Sequence, residues 1–231
     1  MGEVGDLLSK RSLYKDLVQI VNANPTTRRP DYFVAWLQEN YAIALSLGVR
    51  RMIDTDHRSI SLGRLLYELI ESPRTITREA HRVLYIALPE LADGTFDRCV
   101  GEGRQFLPQS AARSDLRALE GASARVHRLV NKRYAHSSQL SAIRRMPTFE
   151  ELHSALDLVD ETLAKYHVLL LAESFQTAEP EPQYEWTDAL RTPWLPSETR
   201  FVRRSLSRRG AGKESSDRSE QASRGSSCRY Q

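Results

Sequence analysis

The sequence predicts an all-α fold. Nearly every long segment places its apolar residues three or four positions apart, which is the spacing of one helix face. No segment alternates apolar and polar residues between turn signals, as a half-buried strand would. The chain has 231 residues, 40% of them hydrophobic, which is enough for one packed domain. We expect a bundle of five to six main helices over residues 1–199 and a disordered tail over residues 200–231.

Four helices are predicted in the first half of the chain. They cover about residues 6–22, 30–53, 59–71 and 75–88. Pro30 favours a helix start, whereas Pro25, Pro73 and Pro89 favour helix ends just before them. The positions expected to face the core are Leu7, Leu13, Leu17, Ile20, Val21, Phe33, Trp36, Leu37, Tyr41, Ala44, Leu45, Leu62, Leu65, Leu66 and Leu69.

A loop is predicted over residues 89–109. This segment contains Gly94, Gly101, Gly103 and Pro108, and it has room for at most one short helix around residues 96–100. Long connections in compact domains are usually functional or mobile. We therefore expect this segment to be the mobile insert of the bundle.

Two long helices are predicted in the second half, over about residues 110–134 and 148–175. Thr148 and Glu151 have the spacing of a capping box at the start of the second of these helices. With residues 137–147 as their connection, the two helices should pair antiparallel at the centre of the bundle. This places His136 at the bundle's end or in the groove between them. The expected inward positions are Leu116, Leu119, Val126, Leu129, Val130, Leu152, Ala155, Leu156, Val159, Leu163, Tyr166 and Leu170.

Composition and missing motifs exclude several classes of protein. Apolar runs such as residues 168–172 are too short to span a membrane, and the N-terminus is charged where a signal sequence would be apolar, so we expect a cytoplasmic protein. Cys99 and Cys228 do not form a metal-binding or disulfide pattern. The chain lacks the phosphate-binding glycine loop, the His-Glu-x-x-His motif and the Gly-x-Ser-x-Gly motif. We expect neither a cofactor nor a metal site.

The basic residues are concentrated in the tail. Residues 200–231 hold nine Lys and Arg against three Asp and Glu, together with eight serines, while residues 1–199 hold 24 basic and 27 acidic side chains. Two interpretations stay open, a solvated terminus and a nucleic-acid-binding arm. On the second, the phosphate-binding residues would be Arg203, Arg204, Arg208 and Arg209.

His136 lies at the end of a basic predicted helix, with Arg133 and Lys132 three and four residues before it. Imidazole titrates near neutral pH and the two cations match phosphate, so these residues together have the chemistry to bind and protonate a phosphodiester oxygen. The alternative is that they only complement the negative end of the helix dipole, and spacing alone favours this alternative.

The remaining clusters of polar residues are predicted to be structural. Residues 54–57 carry metal-ligand residue types but lie between two helices, where Asp and Ser are favoured as caps, and Arg50 and Arg51 are expected to pair with these carboxylates. Four histidines are expected at the surface or at the core edge rather than as ligands: His81, His127, His153 and His167.

The segment from Asn131 to Ser137 resembles the Asn-Lys-x-x-Ala-His element of the AbiU2-like group in the HEPN superfamily. Residues 50–54 leading into residues 59–66 are similar to the N-terminal half of that group, and residues 186–196 to its C-terminal ending. The resemblance covers about residues 30–196. It implies a helical bundle, often dimeric, from abortive-infection or toxin systems, whose active members cleave RNA without a metal. In those members an arginine holds the phosphate and a histidine four to six residues further on acts as acid or base.

Carried onto this sequence, His136 matches the histidine and Asn131 the polar residue that follows the arginine, whereas Val130 stands at the arginine position. Arg128 is the nearest alternative, but on a regular helix it lies about 80° around from His136. The resemblance therefore predicts an RNA- or protein-binding component of a defence or toxin–antitoxin-like system with a degenerate ribonuclease site.

The alternative activity is a metal-independent endoribonuclease that uses His136 with Arg128 or Lys132. A third interpretation is a structural partner whose Trp186 to Trp194 segment covers the bundle or a second subunit. The expected partners are RNA, an antitoxin-like or other protein, and a second copy of the chain.

Overall fold

The computed structural model describes residues 2–24, 32–134 and 145–191. Within these residues the chain is helical, with one isolated antiparallel bridge between Thr77 and Phe106 and no strand. The helices are α1 (Gly2–Ala23), α2 (Tyr32–Met52), α3 (Leu62–Glu71), α4 (Arg78–Leu84), α5 (Pro89–Val100), α6 (Gln109–Leu129), α7 (Phe149–Leu171) and α8 (Asp188–Arg191). A π-helical segment, Val130–Tyr134, continues α6. The all-α prediction is confirmed.

The chain divides into two compact units, residues 1–182 and 183–231, and the bundle is the first of them. The second unit contains α8, and residues 192–231, including the predicted basic arm, lie outside the described residues.

The centre of the bundle is α6, which packs against α2, α3 and α7. Asp115 near the start of α6 accepts hydrogen bonds from Lys165 and Tyr166 near the end of α7, at 2.7 and 2.8 Å. Near the other end of α6, Arg125 pairs with Glu151 in the first turn of α7. The two helices therefore run antiparallel, as predicted.

The capping box at the start of α7 is also confirmed. The backbone N–H of Glu151 donates to the Thr148 hydroxyl at 3.2 Å, and the N–H of Thr148 donates to the Glu151 carboxylate at 3.1 Å. The helix ends earlier than predicted, at Leu171, because Ala172 adopts a left-handed conformation with φ of 58°.

The loop predicted over residues 89–109 is wrong for its first half. Pro89 occupies the first turn of α5 and starts that helix, because a first-turn residue needs no N–H partner, while α4 has already ended at Leu84. Phe96 anchors α5 in the core. The buried Arg78 guanidinium of α4 donates to Asp93 at 3.0 Å and also to Asp97, both in α5. These contacts hold α5 against α4, so this segment is not the mobile insert that was predicted.

The inward faces of α1 and α2 were predicted only in part. Leu7 packs beside Gly48 and the Tyr14 ring stacks on Tyr41, so these two helices run antiparallel. The core covers the first two turns of α1 and the C-terminal part of α2. Four residues predicted to be inward are exposed instead: Leu13 in the middle of α1, Ile20 near its end, and Phe33 and Trp36 near the start of α2. At the end of α7 the buried residue is Leu169, not Leu170.

Candidate functional site

The C-terminal end of α6 does not continue as a regular α-helix. From Val130 to Tyr134 the backbone is π-helical, a geometry that is often found at functional sites. A π turn shifts the register of all residues after it, so the angle of about 80° that regular geometry gives between Arg128 and His136 does not apply. His136 lies outside the described residues, as does the side chain of Arg133.

Val130, at the position where the predicted motif has arginine, is buried. Its side chain is 2% exposed and belongs to the same apolar core cluster as Val126. Arg128 is exposed on a different side of the helix, and Lys132 is half-buried. The side of α6 that would carry the motif's arginine therefore faces the core.

Residues 54–61 form the corner between α2 and α3, as the cap interpretation predicted. The Asp54 carboxylate accepts the backbone N–H of Asp56 at 3.1 Å, and its backbone carbonyl accepts the Ser61 hydroxyl. Ser61 in turn caps α3 by accepting the N–H of Arg64 at 3.0 Å. Hydrogen bonds from Arg58 hold the pKa of the Asp56 carboxyl well below its usual range. These carboxylates are thus turn and cap residues.

The prediction that Arg50 and Arg51 pair with those carboxylates is wrong. Arg51 forms an ion pair with Glu3 of α1. Arg50 points toward the end of α6, where its Nε–H donates to the side-chain carbonyl of Asn131 at 3.1 Å. The packing of α2 against α6 and its π-helical segment brings these two residues together. Two successive arginines in the last turn of α2 were the only sign of this contact in the sequence.

His127 lies next to this contact and is partly buried. Its Nε2 is buried without a hydrogen-bond partner among the residues that the structure describes. Burial lowers the pKa of His127, the positive charge of Arg50 lowers it further, and Asp54 and Glu120 oppose this shift. The lowered pKa favours the neutral form of this partly buried imidazole, which lies beside the Arg50 guanidinium.

The other histidines have structural partners. His81 is buried, with Nδ1 placed 3.1 Å from the Leu169 carbonyl and Nε2 placed 3.1 Å from the Thr95 hydroxyl. His153 Nε2 lies 2.6 Å from the Tyr41 hydroxyl. His167 lies 3.1 Å from the Glu173 carbonyl. No group of three His, Cys, Asp or Glu side chains suited to a metal ion occurs in the described ranges.

The fold is that of a helical-bundle protein in which a guanidinium and an amide side chain meet where α2 packs against the end of α6. The chain belongs to the HEPN AbiU2 family, because the family model described as AbiU2 matches residues 3–187. This family of helical proteins is associated with abortive infection. The match begins earlier than the predicted resemblance, since it includes α1, and it ends just after Trp186.

Comparison with curated proteins and with solved structures found no match. None of the helices within the described residues is long and apolar enough to cross a membrane.

Proposed function

We propose that this HEPN AbiU2 protein is a cytoplasmic component of an abortive-infection or toxin–antitoxin-like system that binds RNA without cleaving it. The observation that supports this proposal is the buried Val130, which occupies the position of the motif arginine. A valine offers no charge and no hydrogen-bond donor to a phosphate. Because its side chain packs in the core, the position is also out of reach of an RNA backbone.

RNA binding, in contrast to cleavage, does not need the motif arginine. Affinity for RNA comes largely from contacts between cations and phosphates, which need not meet at one reacting atom. Arg128 is exposed at this end of the bundle, Lys132 lies four residues after it, and Arg50 lies beside Asn131. If residues 200–231 form the nucleic-acid-binding arm considered above, their arginines add further positive charge for binding phosphates.

A second candidate function is metal-independent endoribonuclease activity that uses His136. The observation that favours it is the contact between Arg50 and Asn131, because it brings a guanidinium to the segment that precedes His136. In this alternative His136 would act as the acid or base, and a cation other than residue 130 would hold the phosphate. Arg128 and Lys132 are the other cations considered for this role.

The two functions are separated by incubating the full chain with a mixed RNA substrate in EDTA. We expect RNA retention without cleavage in the parent, in His136→Ala and in His57→Ala, a matched control because His57 is an exposed histidine far along the chain from this motif. Cleavage that His136→Ala abolishes and His57→Ala preserves would overturn the degenerate-site proposal and support the ribonuclease.

The contribution of the tail is tested in the full chain by replacing Arg203, Arg204, Arg208 and Arg209 with serine. If these arginines bind phosphate, RNA retention should become weaker and less salt-dependent. A parent that neither binds nor cuts RNA would refute the RNA proposal. An antitoxin-like protein or a second copy of the chain would then be the partner to seek, by sedimentation of the purified protein alone and with the product of a neighbouring gene.

A further inference from the structure

Arg50 and Asn131 form a cross-link between α2 and the π-helical segment, although they are 81 residues apart in sequence. The hydrogen bond uses only the Nε–H of the guanidinium. The two terminal nitrogens, Nη1 and Nη2, have no hydrogen-bond partner among the described residues. An arginine that donates through Nε keeps its other edge available, and that edge is a fork that can bind two phosphate oxygens at once.

The carboxylates around Arg50 are engaged elsewhere. Glu3 pairs with the neighbouring Arg51, and Asp56 pairs with Arg58. The Asp54 carboxylate accepts the N–H of Asp56. No ion pair in the described part of the chain includes Arg50, so its terminal nitrogens can donate to an external anion.

The neighbouring histidine adds no second fixed charge. Burial and the charge of Arg50 lower the pKa of His127, so its imidazole is neutral at neutral pH and does not compete with Arg50 for the anion. Its Nε2 is buried, which makes His127 part of the wall of the site and leaves Arg50 as the group that contacts the ligand.

We infer that Arg50 replaces the missing motif arginine, and that Arg50 and Asn131 together form a phosphate-binding subsite for the RNA backbone. Asn131 directly follows Val130, so the guanidinium from α2 reaches the helix end beside the position that the motif arginine would occupy. Arg50 supplies the charge and the donor fork, and Asn131 is the positioning residue that orients it. The inference rests on the proposed function, RNA binding, for the identity of the ligand.

The first test measures binding of a single-stranded RNA oligonucleotide to the full chain at several salt concentrations. Loss of a charge-assisted, bidentate contact predicts affinity about ten- to a hundred-fold weaker for Arg50→Ala, with a salt slope smaller by about 0.7. Arg50→Lys should keep the slope but recover only part of the affinity, since lysine is a point charge. Asn131→Leu should likewise keep the slope and lose affinity, because the charge stays but its orientation is lost.

Arg51→Ala is the matched control, because Arg51 is the adjacent arginine in the same helix turn but pairs with Glu3. We expect its RNA affinity to stay within about two-fold of the parent. Equal losses in Arg50→Ala and Arg51→Ala, or parental affinity in Arg50→Ala, would overturn the subsite. Circular dichroism of each variant checks that the bundle remains folded.

The second test uses inorganic phosphate as the probe and follows the Arg50 Nε–H signal by NMR. Titration should shift this signal to a similar extent in the parent and in Arg51→Ala, and the Asn131→Leu protein should need more phosphate for the same shift. A signal that phosphate does not move overturns the inference, whether or not RNA binds. If phosphate shifts the signal while the parent fails to bind RNA, the proposed function is refuted and the phosphate subsite stands.

Discussion

Restoring the motif arginine with Val130→Arg should destabilise the protein and should not create a ribonuclease. Val130 is 2% exposed and packs in the apolar core cluster with Val126. A guanidinium at this position must either stay in the core without a partner or push the end of α6 outward to reach water. In both cases the packing contacts of the buried valine are lost. In addition, either a charge is buried without a partner or the packing around position 130 is distorted.

The expected cost follows from these two contributions. Burial of a valine side chain stabilises a fold by roughly 1.5–3 kcal/mol, and forcing a larger side chain into a packed core costs about 1–3 kcal/mol. We therefore expect Val130→Arg to lower the free energy of unfolding by about 4 kcal/mol, a large share of the ~5–15 kcal/mol typical of a domain. Val130→Ala removes only two methyl groups and should cost about 2 kcal/mol.

Urea unfolding followed by circular dichroism measures these differences. At a typical m-value of ~2 kcal/mol/M, the midpoint of Val130→Arg should fall by about 2 M urea. Arg128→Ala serves as the control, because Arg128 is exposed two residues away and its loss should change stability by less than ~0.5 kcal/mol. A Val130→Arg protein with parental stability, and with RNA cleavage in EDTA that His136→Ala abolishes, would refute the argument that this side of α6 faces the core.

Three further predictions concern the rest of the bundle. Gly63→Ala should cost about 1–3 kcal/mol of unfolding free energy, because a Cβ there would collide with the backbone carbonyl at the end of α2, and urea midpoints check this. Asp97→Asn weakens the anchoring of Arg78, so amide hydrogen exchange in α5 should accelerate while that in α7 is unchanged. The pKa values of His127 and His153 are lowered from 6.5 by burial. As the pH falls, the unfolded chain therefore binds protons at these histidines at a higher pH than the folded chain does. Urea midpoints should be constant above about pH 6.5 and should fall below it. The fall should be smaller when both residues are replaced with glutamine.

Sequence patterns identified the features that depend on neighbours along the chain. Thr148 and Glu151 are three residues apart and bond only to each other's backbone, so their capping box was readable directly. The start of α5 could not be predicted from local sequence, because Pro89 is compatible both with the end of one helix and with the first turn of another. The choice between them depends on Asp93 and Asp97 meeting Arg78 and on the burial of Phe96, which are tertiary contacts.

The candidate site also combines features that the local sequence predicts with a tertiary contact that it does not predict. The sequence singled out the end of α6, because histidine, asparagine and cations occur there together, and it showed that position 130 lacks an arginine. As substitutes for the motif arginine, the sequence suggested only cations of the same helix, because helical spacing relates residues within one helix. Arg50 comes from another helix, and its direction depends on the corner that Asp54 and Ser61 hold and on the contact of α2 with the π-helical segment. In this chain a substitute for the predicted motif arginine is therefore to be sought in the last turn of α2, where the Arg50 guanidinium reaches the same helix end through space.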